Sequence, residues 1–185
     1  ADTSGDRAIE GELFYNSTDA TIAAHIAVGA WSAGSNLITL RSSLGGAGTQ
    51  TAGLAFGGRN NPDATATVSL NSTEEYSGSG WANGGNLNTA RFFLGNAGTQ
   101  TAALGASGYI EGGGVTANVE AYDGSSWTEG PNVSTARFGS GGCGTSTAAL
   151  IAGGREPSFS AKSEEWNGTA WAEGNDLAAV KTIEG

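Results

Sequence analysis

Sulfur and imidazole are scarce in this chain, whose 185 residues include one Cys, one His and no Met. A lone Cys143 excludes an intrachain disulfide, so stability must come from packing or from assembly with other copies. With His25 as the only imidazole, a zinc site lacks ligands, and Ser-His-Asp or Cys-His chemistry would have to run through that one residue. Nothing near His25 forms a Gly-x-Ser-x-Gly elbow. The sequence therefore predicts no enzyme, no metal and no cofactor. Cations are few as well: 8 Lys and Arg against 18 Asp and Glu leave a net charge of −10. They are scattered, which argues against nucleic acid and against anionic lipid. No apolar run approaches the roughly 18 residues of a membrane span. The longest candidate, residues 21–31, is interrupted by His25 and Gly29, so no membrane insertion is expected. Asp2, Asp6, Glu10 and Glu12 lack the spacing of a calcium loop and read as a solvated acidic segment. Only 3 Pro accompany 32 Gly, and Gly has no period of three, which excludes collagen. An apolar share of 38% with 5 Trp is enough for a packed core and argues against disorder.

What the chain does have is a repeat. Trp31, Trp81, Trp127 and Trp171 each open a similar passage, at spacings of 50, 46 and 44 residues, the range of propeller blades. Ten residues after each Trp stands a cation: Arg41, Arg91, Arg137 and Lys181. Each full passage ends on an acidic residue followed two positions later by an aromatic, in the pairs Glu74 and Tyr76, Glu120 and Tyr122, and Glu164 and Trp166. Recurring indoles suit packing between blades, the alternative being exposed rings that stack on sugars. Arg41, Arg91 and Arg137 with Glu74, Glu120 and Glu164 suit in-phase ion pairs, the alternative being a ring of anion-binding Arg.

Within each unit, runs such as Thr-Ala-x-Leu-x-x-Gly-Gly and Val-x-Ala-Tyr are short, apolar and bounded by Gly, Asn, Asp and Ser. They are too brief for helices and read as strands. Asp123-Gly124 and Asn167-Gly168 are turn pairs. Residues 176–181 alone have a pattern that suits a short helical turn. The expected fold is all-β, one domain with about four short strands per repeat and repeats at about 31–80, 81–126 and 127–170. Residues 1–30 and 171–185 together make one more repeat length. They would build a joint fourth blade, or the array stays open and is completed by oligomerisation.

The pairs Gly57-Gly58 and Gly153-Gly154, followed by Tyr76, Tyr122 or Trp166 and then a Trp five residues on, resemble the kelch motif. The second copy departs from it, with Ala106-Ser107-Gly108 in place of the pair. The resemblance covers nearly the whole chain and implies a kelch-like β-propeller. The run Gly-Ala-Gly-Thr-Gln-Thr-Ala-x-Leu at 46–54, its variant at 97–104 and the opening Leu-Phe-Tyr-Asn-Ser-Thr-Asp at 13–19 are similar to kelch-like repeats of bacteriophage tail-fibre and other virion proteins. That likeness implies a virion structural protein, a fibre, tail or capsid-surface component for assembly or host-surface attachment. Its implied partners are other virion proteins, copies of itself and a host-surface glycan or protein. A secreted cellular interaction module or extracellular filament subunit is the alternative. The copper oxidase that also carries kelch blades holds its metal through His and Tyr ligands that this chain does not supply in number.

The stretches 59–67, 107–116 and 155–161 differ between repeats in length and content. Specificity on a rigid repeat scaffold sits in such loops. Asn60, Asn61, Asp63, Tyr109, Glu111, Arg155 and Phe159 are thus the expected contact residues, set against plain drift in unused loops.

Overall fold

The computed structural model describes residues 13–16, 21–24, 33–60 and 68–179. The chain divides into two compact units, residues 1–33 and 34–185. In the first, β1 (Leu13–Asn16) and β2 (Thr21–Ala24) form an antiparallel hairpin.

The second unit repeats one pattern of six strands. Its first copy holds β3 (Gly45–Thr49), β4 (Ala52–Phe56), β5 (Arg59–Asn60), β6 (Val68–Ser69), β7 (Thr73–Tyr76) and β8 (Trp81–Asn83). The second holds β9 (Gly95–Thr99), β10 (Ala102–Ala106), β11 (Tyr109–Ile110), β12 (Gly114–Val115), β13 (Val119–Tyr122) and β14 (Trp127–Gly130). The third holds β15 (Gly141–Gly144), β16 (Ala149–Ala152), β17 (Arg155–Glu156), β18 (Ser158–Phe159), β19 (Ser163–Trp166) and β20 (Trp171–Glu173). In each copy four strands make an antiparallel, blade-like sheet in chain order, β3-β4-β7-β8, β9-β10-β13-β14 and β15-β16-β19-β20, and the other two make a short hairpin. Among the described residues there is no helix, and residues 178–179 bend where a helical turn was expected over 176–181.

The five-residue spacing from aromatic to Trp has a simple geometric origin. Tyr76 and Trp81, Tyr122 and Trp127, and Trp166 and Trp171 are cross-strand partners on either side of a tight turn. Their rings meet at 5.0, 5.0 and 5.4 Å. Turn chemistry sets that register. Asp123 Oδ1 accepts from the N–H groups of Ser125 and Ser126, and Asn167 Oδ1 from those of Thr169 and Ala170. The N–H of Ser126 and the donors of Ser125 hold the Asp123 carboxyl down at about 2. Trp81, Trp127 and Trp171 thus each begin the last strand of a sheet and do not open the next one. Trp171–Glu173 completes the third sheet and is not free to build a joint fourth blade. Of the rest of that blade, residues 1–12, 17–20, 25–30 and 180–185 lie outside the described residues.

The second sheet packs between the first and the third. Their first strands β3, β9 and β15 lie side by side, so closely at one point that a Cβ on Gly142 would sit 2.4 Å from the Asn96 carbonyl oxygen. Two apolar clusters fill the seams. Leu54 and Phe56 of the first sheet meet Ala103, Tyr122 and Trp127 of the second. Ala97, Leu104, Ala106 and Val119 of the second meet Ala149, Ile151, Trp166 and Trp171 of the third.

A left-handed backbone follows the second strand of each sheet, with φ of 61° at Gly57, 62° at Ser107 and 71° at Gly153. The departure from the Gly-Gly pair therefore leaves the chain path unchanged. A non-Gly residue there costs on the order of 1–2 kcal/mol. Ser107 offsets it through its buried hydroxyl, which donates to Thr116 O or Arg137 O and accepts from Arg137 N.

Candidate functional site

The in-phase charges meet one another in the interior. Arg41 lies 2.7 Å from Glu74, Arg91 lies 2.8 Å from Glu120, and Arg137 pairs with Glu164. All six side chains are inaccessible to solvent. Each carboxylate also accepts from two successive backbone N–H groups in the segment leading into its own sheet: Ile38 and Thr39, Asn88 and Thr89, Ser134 and Thr135. The guanidinium in turn donates to carbonyls of the sheet, such as Gly57 and Ser72 for Arg41. This is a strut that pins the lead-in loop to the third strand. Burial opposes ionisation of Glu74, but the N–H groups of Ile38 and Thr39 together with Arg41 outweigh it and hold the carboxyl below its ordinary value. Burial lowers the Arg91 pKa against the opposing pull of Glu120. No anion from solvent can reach these guanidiniums, so the ring of anion-binding Arg does not form a site.

Trp127 and Trp171 are likewise committed to packing between sheets. Trp127 is buried 4.7 Å from the Phe56 ring, with Nε1 donating to Thr73 Oγ1 of the neighbouring sheet. Trp171 and Trp81 are half-buried, and Trp81 Nε1 donates to Ser35 O. Trp31 and Lys181 lie outside the described residues.

The accessible chemistry gathers on the three hairpins. Each hairpin bridges to the residue just after its repeat Arg: Ser42 with Arg59, Phe92 with Tyr109, and Phe138 with Arg155. The hairpins therefore occupy one face of the stack. Tyr109 sits 5.3 Å from Phe92 and 5.6 Å from Phe138, and Phe93 joins Phe92 at 5.3 Å and Phe138 at 6.0 Å. The Arg59 guanidinium lies 5.2 Å over both Phe92 and Phe93, and Arg155 lies 5.4 Å over Phe159. Phe92 is buried; Phe93, Tyr109, Phe138 and Arg59 are half-buried; Arg155 and Phe159 are exposed. Beside this cluster a cleft of about 250 Å³ is lined by Ser43, Leu44, Phe93, Asn96, Ser140 and neighbouring residues. Its floor carries a chain of backbone hydrogen bonds across the three units, Phe93 N to Ser43 O and Gly139 N to Phe93 O, each 2.9 Å.

Of the expected contact residues, Tyr109 stands in the middle of this cluster, and Arg155 and Phe159 form a pair on the third hairpin. Asn60 is half-buried on β5, and Glu111 is exposed, with its N–H donating to Ser69 Oγ. Asn61 and Asp63 lie outside the described residues. Sequence reasoning missed Phe92, Phe93, Phe138 and Arg59. A signal was available: the two positions after the repeat Arg read Ser-Ser, Phe-Phe and Phe-Gly, so they vary where their surroundings do not. Half-exposed aromatic faces beside a guanidinium can stack on the apolar face of a sugar ring or on a partner's aromatic side chain. Among the described residues no three His, Cys, Asp or Glu are placed to hold a metal ion. No protein-family model and no curated protein matches the chain.

Proposed function

We propose that this chain is a non-enzymatic attachment module, a kelch-like propeller whose blades are the repeated sheets and whose hairpin face contacts a host-surface glycan or protein. Its place in this reading is the virion surface, as a fibre, tail or capsid-surface component. One observation carries the proposal: the repeat charges are spent in buried struts, while aromatic and guanidinium groups collect half-exposed on a single face. The phage-like wording of the repeats supplies the virion part. Multivalent display would strengthen contacts that are weak one at a time.

The test measures retention of the purified chain on host cells, with free sugars as competitors and antibody labelling of particles alongside. Substituting Phe93→Ser together with Tyr109→Ser is expected to reduce retention at least tenfold without changing the β-rich circular dichroism. Unchanged retention, or label absent from the particles, would overturn the proposal.

A further inference from the structure

The two outer sheets of the stack carry complementary halves of a contact that the molecule already makes internally. Where the second sheet meets the first, Tyr122 OH donates to Glu75 Oε1 at 2.5 Å, Gln100 Nε2 donates to Gly53 O and Tyr76 O at 3.1 and 2.7 Å, and Trp127 covers Phe56. The repeat places the same donors on the outer face of the first sheet, where Tyr76 stands for Tyr122, Gln50 for Gln100 and Trp81 for Trp127. Tyr76 and Trp81 are half-buried, and Gln50 is exposed with no side-chain hydrogen bond among the described residues. Tyr76 OH spends its donor on Gly78 O at 3.1 Å, an exposed contact that a carboxylate can replace.

The outer face of the third sheet holds the matching acceptor half. Glu165 occupies the position of Glu75 and is exposed. Leu150 and Ala152 occupy the positions of Leu54 and Phe56 but are half-buried where those are buried, and Cys143 is exposed where the corresponding Ala97 of the second sheet is buried. The loop leading into the first sheet adds apolar surface. Ile38 and Leu40 are 56% and 79% exposed, at positions held by Asn88 and Ala90 in the next unit. Exposed apolar groups beside solvent-facing hydrogen-bonding groups mark an interaction surface.

We propose that the first sheet of one chain docks on the third sheet of a second copy, repeating the internal contact with Tyr76 donating to Glu165 of that copy. The two faces differ, so the contact is heterologous: it closes a ring or continues as a filament according to its rotation. Two copies bring six sheets, within the ~4–8 blades of closed propellers. The inference rests on the blade reading of the repeats and not on the virion role.

Sedimentation equilibrium of the full chain over a dilution series tests it, with the alkylation rate of Cys143 measured on the same samples. Association is expected, with Cys143 increasingly protected as concentration rises. Tyr76→Phe and Glu165→Gln should each weaken association about tenfold, and the double variant little more than either, because they share one hydrogen bond. A monomer at every concentration with constant Cys143 reactivity would overturn the proposal. Association indifferent to both substitutions would overturn it too. A chain that assembles through these faces yet fails to bind cells retains this inference and loses only the attachment role.

Discussion

The two seams of the stack are built from one repeat yet closed by different chemistry. Between the first and second sheets, polar groups seal an aromatic centre: Tyr122 OH reaches Glu75, and Trp127 Nε1 reaches Thr73. Between the second and third, Ala121 takes the place of Glu75 and Trp166 that of Tyr122, so the acid and the hydroxyl are replaced together. Trp166 Nε1 turns to Ser146 O in a turn of its own unit, and Trp171 Nε1 is buried without a partner among the described residues. At this one position the same backbone therefore tolerates either an acid–phenol hydrogen bond or apolar contact, provided donor and acceptor are exchanged as a pair.

Truncation breaks the comparison most severely. Trp127→Ala empties the centre of the first seam and should cost ~3–5 kcal/mol. Trp171→Ala, at a half-buried indole, should cost ~2 kcal/mol. Urea titration of both variants measures the difference, and equal losses would mean that the seams do not differ as described.

The struts are common to all units and serve as an internal control. Glu74→Gln leaves the Arg41 guanidinium buried without its counter-charge, at a cost of ~3 kcal/mol. The Glu74 pKa is lowered in the folded state, so its contribution is complete above the ordinary carboxylate value of 4.5 and is lost as pH falls through the lowered value. The melting temperature of the wild type should fall toward that of Glu74→Gln as the solution is acidified, and the gap should persist at neutral pH.

The alkaline side separates the seams again. Burial, followed by the hydrogen bond to Glu75, raises Tyr122 from 10.0 to about 12. The folded state therefore favours the protonated phenol. The stability this contributes is complete below pH 10.0 and is lost as pH climbs toward about 12. Tyr122→Phe should cost ~1.5 kcal/mol near neutrality. Its deficit against the wild type should shrink across that alkaline window, read as the difference in melting temperature at each pH. The second seam has no phenol at this position and contributes nothing to the effect.

The sheets and the struts were legible because they repeat. A Trp every 44 to 50 residues, an Arg ten residues later and a Glu two residues before an aromatic survive as a pattern, because each must meet the same neighbour in every unit. Their place within the sheet was less legible. Trp81, Trp127 and Trp171, which open passages in the sequence, begin the last strand of a sheet, since pairing across a tight turn is set by backbone register, which spacing alone does not reveal. The hairpin face was legible only in part. Tyr109, Arg155 and Phe159 lie in variable stretches, but Phe92, Phe93 and Phe138 sit beside the constant Arg and join the cluster only because a bridge brings 92 to 109 and 138 to 155. A contact made by non-local bridging leaves no local periodicity to read.

The finest comparison uses one substitution at two equivalent positions. Trp127→Phe keeps most of the ring packing on Phe56 but removes the indole N–H, so Thr73 Oγ1 loses its buried partner. A cost of ~1 kcal/mol beyond the lost ring volume follows from one unmade hydrogen bond. Trp171→Phe removes a donor that already lacks a partner, so relief of its desolvation offsets the lost ring volume and the net change should be ~0 kcal/mol. Paired urea titrations decide the matter, since a Trp171→Phe loss as large as that of Trp127→Phe would mean that the second seam holds its indole by a hydrogen bond after all.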